Sequence, residues 1–276
     1  MRLALVVSTP EVLPVPPVAQ LTGSFEERLT KAAALGCDGV ELMCTDPAQL
    51  DREAVYHLVG AHGLAVPALG TGALFLNERL TLLHADPEAR AAAAERAMRL
   101  IDFAAPLGAM LTIGSFRGLV SSMGGPASGL PALAETLNAL AAYAAPKGVR
   151  IAIEPLNRYE ADALNTAAET LEFVESLGRD NVGLLLDTFH VNIEEAVVAE
   201  AVRTAAPRLW HVHLGDSNRW PPGQGHFDFA GFVAALRQSG YSGYLSAELL
   251  AKPDPDTAAQ LTIEHMRGVI TTDEHR

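Results

Sequence analysis

The chain has 276 residues, close to the roughly 250 of one α/β barrel and long for a single ordinary domain. With 49% hydrophobic and 19% charged residues it can bury a sizeable core. No apolar run approaches the roughly 18 residues that a membrane span needs. A net charge of -13 opposes nucleic acid as a partner and leans towards a neutral small molecule. Two cysteines, Cys37 and Cys44, make neither a disulfide framework nor a clustered metal site, and read as free thiols in a reducing cytoplasm.

In chain order, the apolar run Leu3–Val7 is too short for a secretory signal and reads as a first strand. Further strands are expected at Gly39–Leu42, Ala65–Leu69, Met110–Ile113, Val149–Glu154, Val182–Asp187, Leu209–Leu214 and Gly243–Glu248. Amphipathic helical stretches lie between them, near Phe25–Leu35, Asp51–His62, Pro87–Leu107, Leu130–Lys147, Thr166–Leu177, Ile193–Ala205 and Phe229–Ser239, with a last one near Thr257–Val269. Asp86-Pro87, Asn165, Asp228 and Pro255-Asp256 are helix-start signals. Gly36, Gly63, Gly108, Gly148 and Gly178 stop helices and lead into the next strand.

Eight strand–helix units predict a single (β/α)8 barrel, the TIM-barrel architecture, over residues 1–276. An open doubly wound sheet is the competitor, but Ser8-Thr9-Pro10 follows the first strand where such a fold carries a Gly-rich phosphate loop.

Side chains at the C-terminal strand ends of a barrel share one mouth. Glu154, Asp187, His213 and Glu248 occupy such ends, separated by 33, 26 and 35 residues (154 to 187, 187 to 213, 213 to 248). That spacing places one on each of the fifth to eighth strands. Three acids converging without a cation would repel one another, and a divalent ion removes the conflict. The set is hard and oxygen-rich, which suits Mn²⁺, Mg²⁺ or Co²⁺, and is unlike a thiolate-rich structural zinc site.

The stretches Glu154-Pro-Leu-Asn-Arg-Tyr-Glu160, Leu186-Asp187-Thr-Phe-His190-Val-Asn-Ile-Glu194-Glu195 and His211-Val-His213-Leu-Gly-Asp-Ser-Asn-Arg219 resemble the sugar isomerase/epimerase superfamily of xylose-isomerase-like barrels. Within it they are most similar to the ketose 3-epimerases that act on D-tagatose and D-psicose (allulose). Pro222-Gly-Gln-Gly225 and Gly240-Tyr-Ser-Gly-Tyr244 extend the match, which is specific over Ile151–Glu248 and generic before it. The resemblance implies one divalent ion, Mn²⁺ first and Mg²⁺, Co²⁺ or Zn²⁺ otherwise, on Glu154, Asp187, His213 and Glu248. It implies Glu154 and Glu248 as an acid/base pair on opposite substrate faces, His190 and Arg219 as binders of the sugar's O1–O2 end, and Glu160 as an acid beside the site. A homodimer or homotetramer is implied as well. One departure is Leu249-Leu250, where many relatives have proline after the glutamate.

The chemistry implied is C3 epimerisation of a ketose through a cis-enediolate. One glutamate removes the C3 proton and the other returns one to the opposite face. Removal of a C1 proton instead, with reprotonation at C2, would make an aldose, so an aldose–ketose isomerase, acting on hydroxypyruvate or an inosose for instance, shares the constellation. An apurinic-site endonuclease-like hydrolase would need more histidines at strand ends in the first half, and a non-catalytic sugar-binding barrel is a third alternative. His190 has the alternative of satisfying loop carbonyls, Arg219 that of pairing with Asp216. His211 is expected to point away from His213. Arg117 is divided between the pocket and a structural role, and Phe75 is a candidate apolar wall.

Overall fold

In a computed structural model, which describes residues 1–272, eight parallel strands pair in chain order and close into a barrel. They are β1 (Arg2–Ser8), β2 (Gly39–Met43), β3 (Ala68–Gly70), β4 (Met110–Ile113), β5 (Ile151–Ile153), β6 (Val182–Asp187), β7 (Leu209–Leu214) and β8 (Tyr244–Ala247). The seam is shut by β8 on β1, in register from Arg2↔Tyr244 to Leu5↔Ala247. The helices are α1 (Phe25–Ala34), α2 (Arg52–Ala61), α3 (Gly72–Glu78), α4 (Pro87–Ala104), α5 (Pro126–Ala144), α6 (Ala167–Ser176), α7 (Thr188–Glu194), α8 (Val198–Ala205), α9 (Phe229–Gln238) and α10 (Pro255–Thr272). No described helix is long and apolar enough to cross a membrane.

Local chemistry starts and stops these elements where the barrel needs it. Asp86 and Asp228 cap α4 and α9 through their carboxylates. Thr166, not Asn165, caps α6, in a reciprocal box with Glu169. At α10 the carboxylate of Asp254 takes the Thr257 N–H at 2.9 Å. All five stop glycines have positive φ, which lets each helix turn directly into the next strand. The sheet and its helical coat share one continuous apolar core that includes Leu5, Leu42, Leu69, Leu111, Ile153, Leu184, Val212 and Leu245.

Several boundaries differ from expectation for identifiable reasons. β3 begins at Ala68, because Pro67 has no N–H to give to a ladder and Ala65 makes only an isolated bridge with Gly39. The stretch expected as one helix from Ile193 is two, interrupted where Glu195 is extended and its carboxylate accepts the Ala167 N–H at 2.7 Å. Helix α7 begins at once after β6, capped by Asp187 itself. α3 was not expected, and α5 starts at Pro126, earlier than Leu130.

Candidate metal centre and active site

Glu154 and Glu248 lie one residue beyond β5 and β8, yet each still gives its N–H to the neighbouring strand, Glu154 to Ile113 O at 3.0 Å and Glu248 to Leu214 O at 3.2 Å. The strand geometry therefore still aims both side chains. Asp187 ends β6 and His213 lies on β7, paired with it in register. Ligand-capable atoms of Glu154, Asp187, His213 and Glu248 all fall within 4.8 Å of one another. His213 Nδ1 stands 3.5 Å from Glu154 Oε1 and 3.6 Å from Glu248 Oε2.

The donor set fits a divalent cation. Glu154 Oε1, Asp187 Oδ2 and His213 Nδ1 are buried without a hydrogen-bond partner, a costly arrangement that a cation would relieve. Burial, followed by the nearby charge of Glu154, pushes the Asp187 carboxyl up to about 7. Burial also raises Glu154, against the pull of His213 and with the charge of Glu248 adding to it. These are the frustrated acids of a site built around positive charge.

Beneath this layer, Glu41 on β2 is buried and accepts from His213 Nε2 at 3.1 Å and from His211 Nε2 at 2.8 Å. The contact leaves His213 Nδ1 facing the carboxylate cluster, the orientation a ligating imidazole requires. Burial opposes charge on Glu41, but the two imidazoles hold its carboxyl below the usual range. Burial opposes charge on His213 too, yet Glu41, Glu248 and Glu154 hold it well above its ordinary value. His211 corrects the expectation made for it: residues two apart on a strand share a face, so its ring lies against that of His213, 5.3 Å between centroids. Sequence reasoning missed Glu41 altogether.

The residues expected at the substrate end gather above the cluster. His190, on α7, is buried, and burial, reinforced by Arg219, pushes its pKa well down. Its Nδ1 accepts from Asn157 Nδ2 at 2.7 Å and from the Asn157 N–H at 3.3 Å. Two donors on Nδ1 place the proton on Nε2, which lies 3.9 Å from Glu154 Oε1. Arg219 pairs with Glu248 at 3.2 Å and Glu160 at 3.4 Å, not with Asp216. Burial opposes the charge on Arg219, but Glu248, Asp187 and Glu160 fix it more firmly still. Asp216 instead organises the loop after β7 by accepting N–H groups from Ser217, Gly223, Gly225 and Phe227. Arg219 itself sits at φ 61, a left-handed conformation that costs a non-glycine residue about 1 kcal/mol or more.

A cavity of about 160 Å³ opens over the cluster, lined by Glu154, His190, His213, Arg219, Glu248 and Glu160, with an apolar wall that includes Phe75, Leu76, Val18 and Leu250. Phe75 thus stands where it was expected, brought there by α3. Arg117 resolves to the structural alternative: its guanidinium donates to the carbonyls of Glu154, Ala163 and Leu164 and does not line the cavity. Gly114 was overlooked. A Cβ there would collide with Glu154 Oε2, so only glycine leaves that carboxylate its place.

A closed parallel barrel whose C-terminal mouth gathers three carboxylates and an imidazole defines a barrel protein with a candidate divalent-cation centre. Residues 29–269 match the xylose isomerase-like TIM barrel family, and the chain belongs to that family. It is 36% identical over 219 residues to an L-ribulose 3-epimerase of Methylomonas sp. (strain DH-1), covering 79% of this chain and 75% of that protein. It is 33% identical over 229 residues to a ketose 3-epimerase of Arthrobacter globiformis, covering 80% and 78%. The crystal structure of D-allulose 3-epimerase from Methylomonas sp. in complex with D-allulose superposes with a TM-score of 0.79 at 26% identity, over 97% of this chain and 96% of that one.

Proposed function

We propose that the protein is a divalent-metal-dependent ketose 3-epimerase, with the ion held by Glu154, Asp187, His213 and Glu248 and with Mn²⁺ as the first expectation among Mn²⁺, Mg²⁺, Co²⁺ and Zn²⁺. The observation that carries the reading is the pair of glutamates approaching one cluster from β5 and β8, with His213 between them. The names of the relatives, ketose and L-ribulose 3-epimerases, point the same way.

When bound, the ion supplies positive charge that favours an enediolate over the neutral ketose. Glu154 and Glu248 do the proton transfers. One takes the C3 proton from its face of the sugar, and the electron pair passes into the C2 carbonyl to give the cis-enediolate. The other, carrying a proton, delivers it to the opposite face of C3, which restores the C2 carbonyl with the stereocentre inverted. Which glutamate acts first depends on the configuration of the ketose. His190 donates its Nε2 proton to a sugar oxygen, and Arg219 and Glu160 orient the same O1–O2 end.

The substrate class follows from charge. Arg219 is the single arginine or lysine among the described lining residues, and Glu248 and Glu160 already engage it. A phosphate would enter a mouth rich in carboxylates, so the substrate is a free ketose. The metal-loaded enzyme should be incubated in D₂O with D-fructose, D-tagatose and L-ribulose. Deuterium at C3 with inversion is expected. Deuterium at C1 of the ketose and at C2 of an aldose product, with none at C3, would replace this reading by an isomerase.

A further inference from the structure

We propose that the N-terminal mouth of the barrel is a second binding site, for a small hydroxylated organic anion whose acid group is a carboxylate or a phosphate. The strand starts opposite the candidate active site enclose a recess of about 460 Å³, far roomier than the cavity over the cluster. Its described lining includes Arg2, Arg150, Tyr56, Trp210, Tyr244 and His211, and no aspartate or glutamate. In a chain of net charge -13, a carboxylate-free recess with two guanidinium groups is a local reversal of sign.

Both arginines are preorganised by aromatic rings and have no carboxylate partner among the described residues. Arg2 lies 4.0 Å over the Tyr244 ring and donates to its hydroxyl at 3.2 Å. Arg150 lies 5.1 Å over Trp210. The ladder between β6 and β7 shifts register at Leu184/Leu185, with Leu209 and His211 as the partners, so Trp210 is the extra residue of a bulge. It packs against Ala68, Met110, Ala152 and Leu185 and over the bare backbone of Gly183. Stacked guanidinium groups keep their N–H edges for an oxyanion.

His211 adds a third contact. It is fully buried, its Nε2 is committed to Glu41, and its Nδ1 has no partner. With the proton on Nε2, that nitrogen accepts, so it calls for a hydroxyl on the ligand rather than more negative charge. An acid group at the arginines and a hydroxyl towards His211 satisfy all three.

Isothermal titration calorimetry on the metal-loaded full chain tests this with 4-hydroxybenzoate and glycerol 3-phosphate as the two acid types, benzoate as the probe without a hydroxyl, and 4-hydroxybenzyl alcohol as the uncharged one. At least one hydroxylated anion should saturate the protein, and which one does identifies the acid group. Arg2→Gln and Arg150→Gln should each weaken it about tenfold or more. Gly60→Glu, at an exposed lining position where a Cβ meets nothing within 4 Å, should weaken it by repulsion with both arginines in place. Absence of saturation by both anions would overturn the proposal, as would affinities indifferent to all three substitutions. Equal binding of the uncharged alcohol would do the same, and equal binding of benzoate would remove His211 from the site.

Discussion

At the C-terminal mouth of the barrel, Glu154, Asp187 and Glu248 crowd around His213, whereas at the N-terminal mouth Arg2 and Arg150 share a recess with no acid in it. The same eight strands supply both ends. At the first, like charges are held together by burial and by β-ladder geometry, so three potential ligand atoms are left without partners. At the second, cations rest on aromatic faces and keep contact with solvent. A whole-chain charge describes neither mouth. What separates them is a middle layer, in which Glu41 braces both His211 and His213.

The contrast is most severely strained by removing the acids at the first mouth. Glu154→Gln and Glu248→Gln are each expected to lower turnover of the best ketose by about 10²–10⁴-fold, the usual worth of a positioned acid or base. Glu154→Gln should also raise the melting temperature of the metal-free protein, since it relieves a buried repulsion. A fall in metal-free stability would mean that Glu154 is a structural partner.

Breaking the middle layer should cost less. Glu41→Gln keeps the size of the side chain but loses the charge that holds two imidazoles, and should weaken metal affinity or activity by about 10–100-fold. Dialysis against buffered Mn²⁺ measures this, and unchanged affinity would show that His213 needs no brace.

Metal affinity should also depend on pH with a definite sign. Asp187 is raised to about 7, and His213 holds its proton well above the ordinary value, so a cation must displace protons from both. Affinity is therefore lost as pH falls through 7, by about tenfold per pH unit for each proton displaced. Calorimetry in buffers of different ionisation enthalpy counts those protons, and none released would sink the assignment.

The smallest effect is expected from Asn157→Leu, which leaves His190 without its side-chain donor. A KM increase of severalfold to about tenfold, with kcat changed less, is the outcome if the ring orients substrate. Steady-state kinetics on one ketose separates this from a general loss of folding.

Much of the first mouth was legible because barrel topology converts strand ends into neighbours. Four residues at one-unit spacing needed only that rule to be gathered. Glu41 was not legible: in Gly39-Val-Glu-Leu it is one acid in an alternating strand, and nothing local shows that it points inward at two histidines. Asn157 was hidden for a similar reason, since its role is a tautomer on a residue 33 positions away. Gly114 reads as a turn, while its actual constraint is the volume of Glu154. Helix boundaries failed where a tertiary partner intervened, as at Glu195.

Glu41 reaches His213 across 172 residues of chain. All four cluster residues belong to the last half of the barrel, but this brace belongs to the first. A refolding chain could therefore assemble β5 to β8 and gather its carboxylates while His213 still lacks its partner. Loop closure over such a separation is slow, so this contact is expected to form late in refolding. Metal affinity then becomes a clock for refolding: weak capture by a half-formed barrel, and tight capture when the ring is complete.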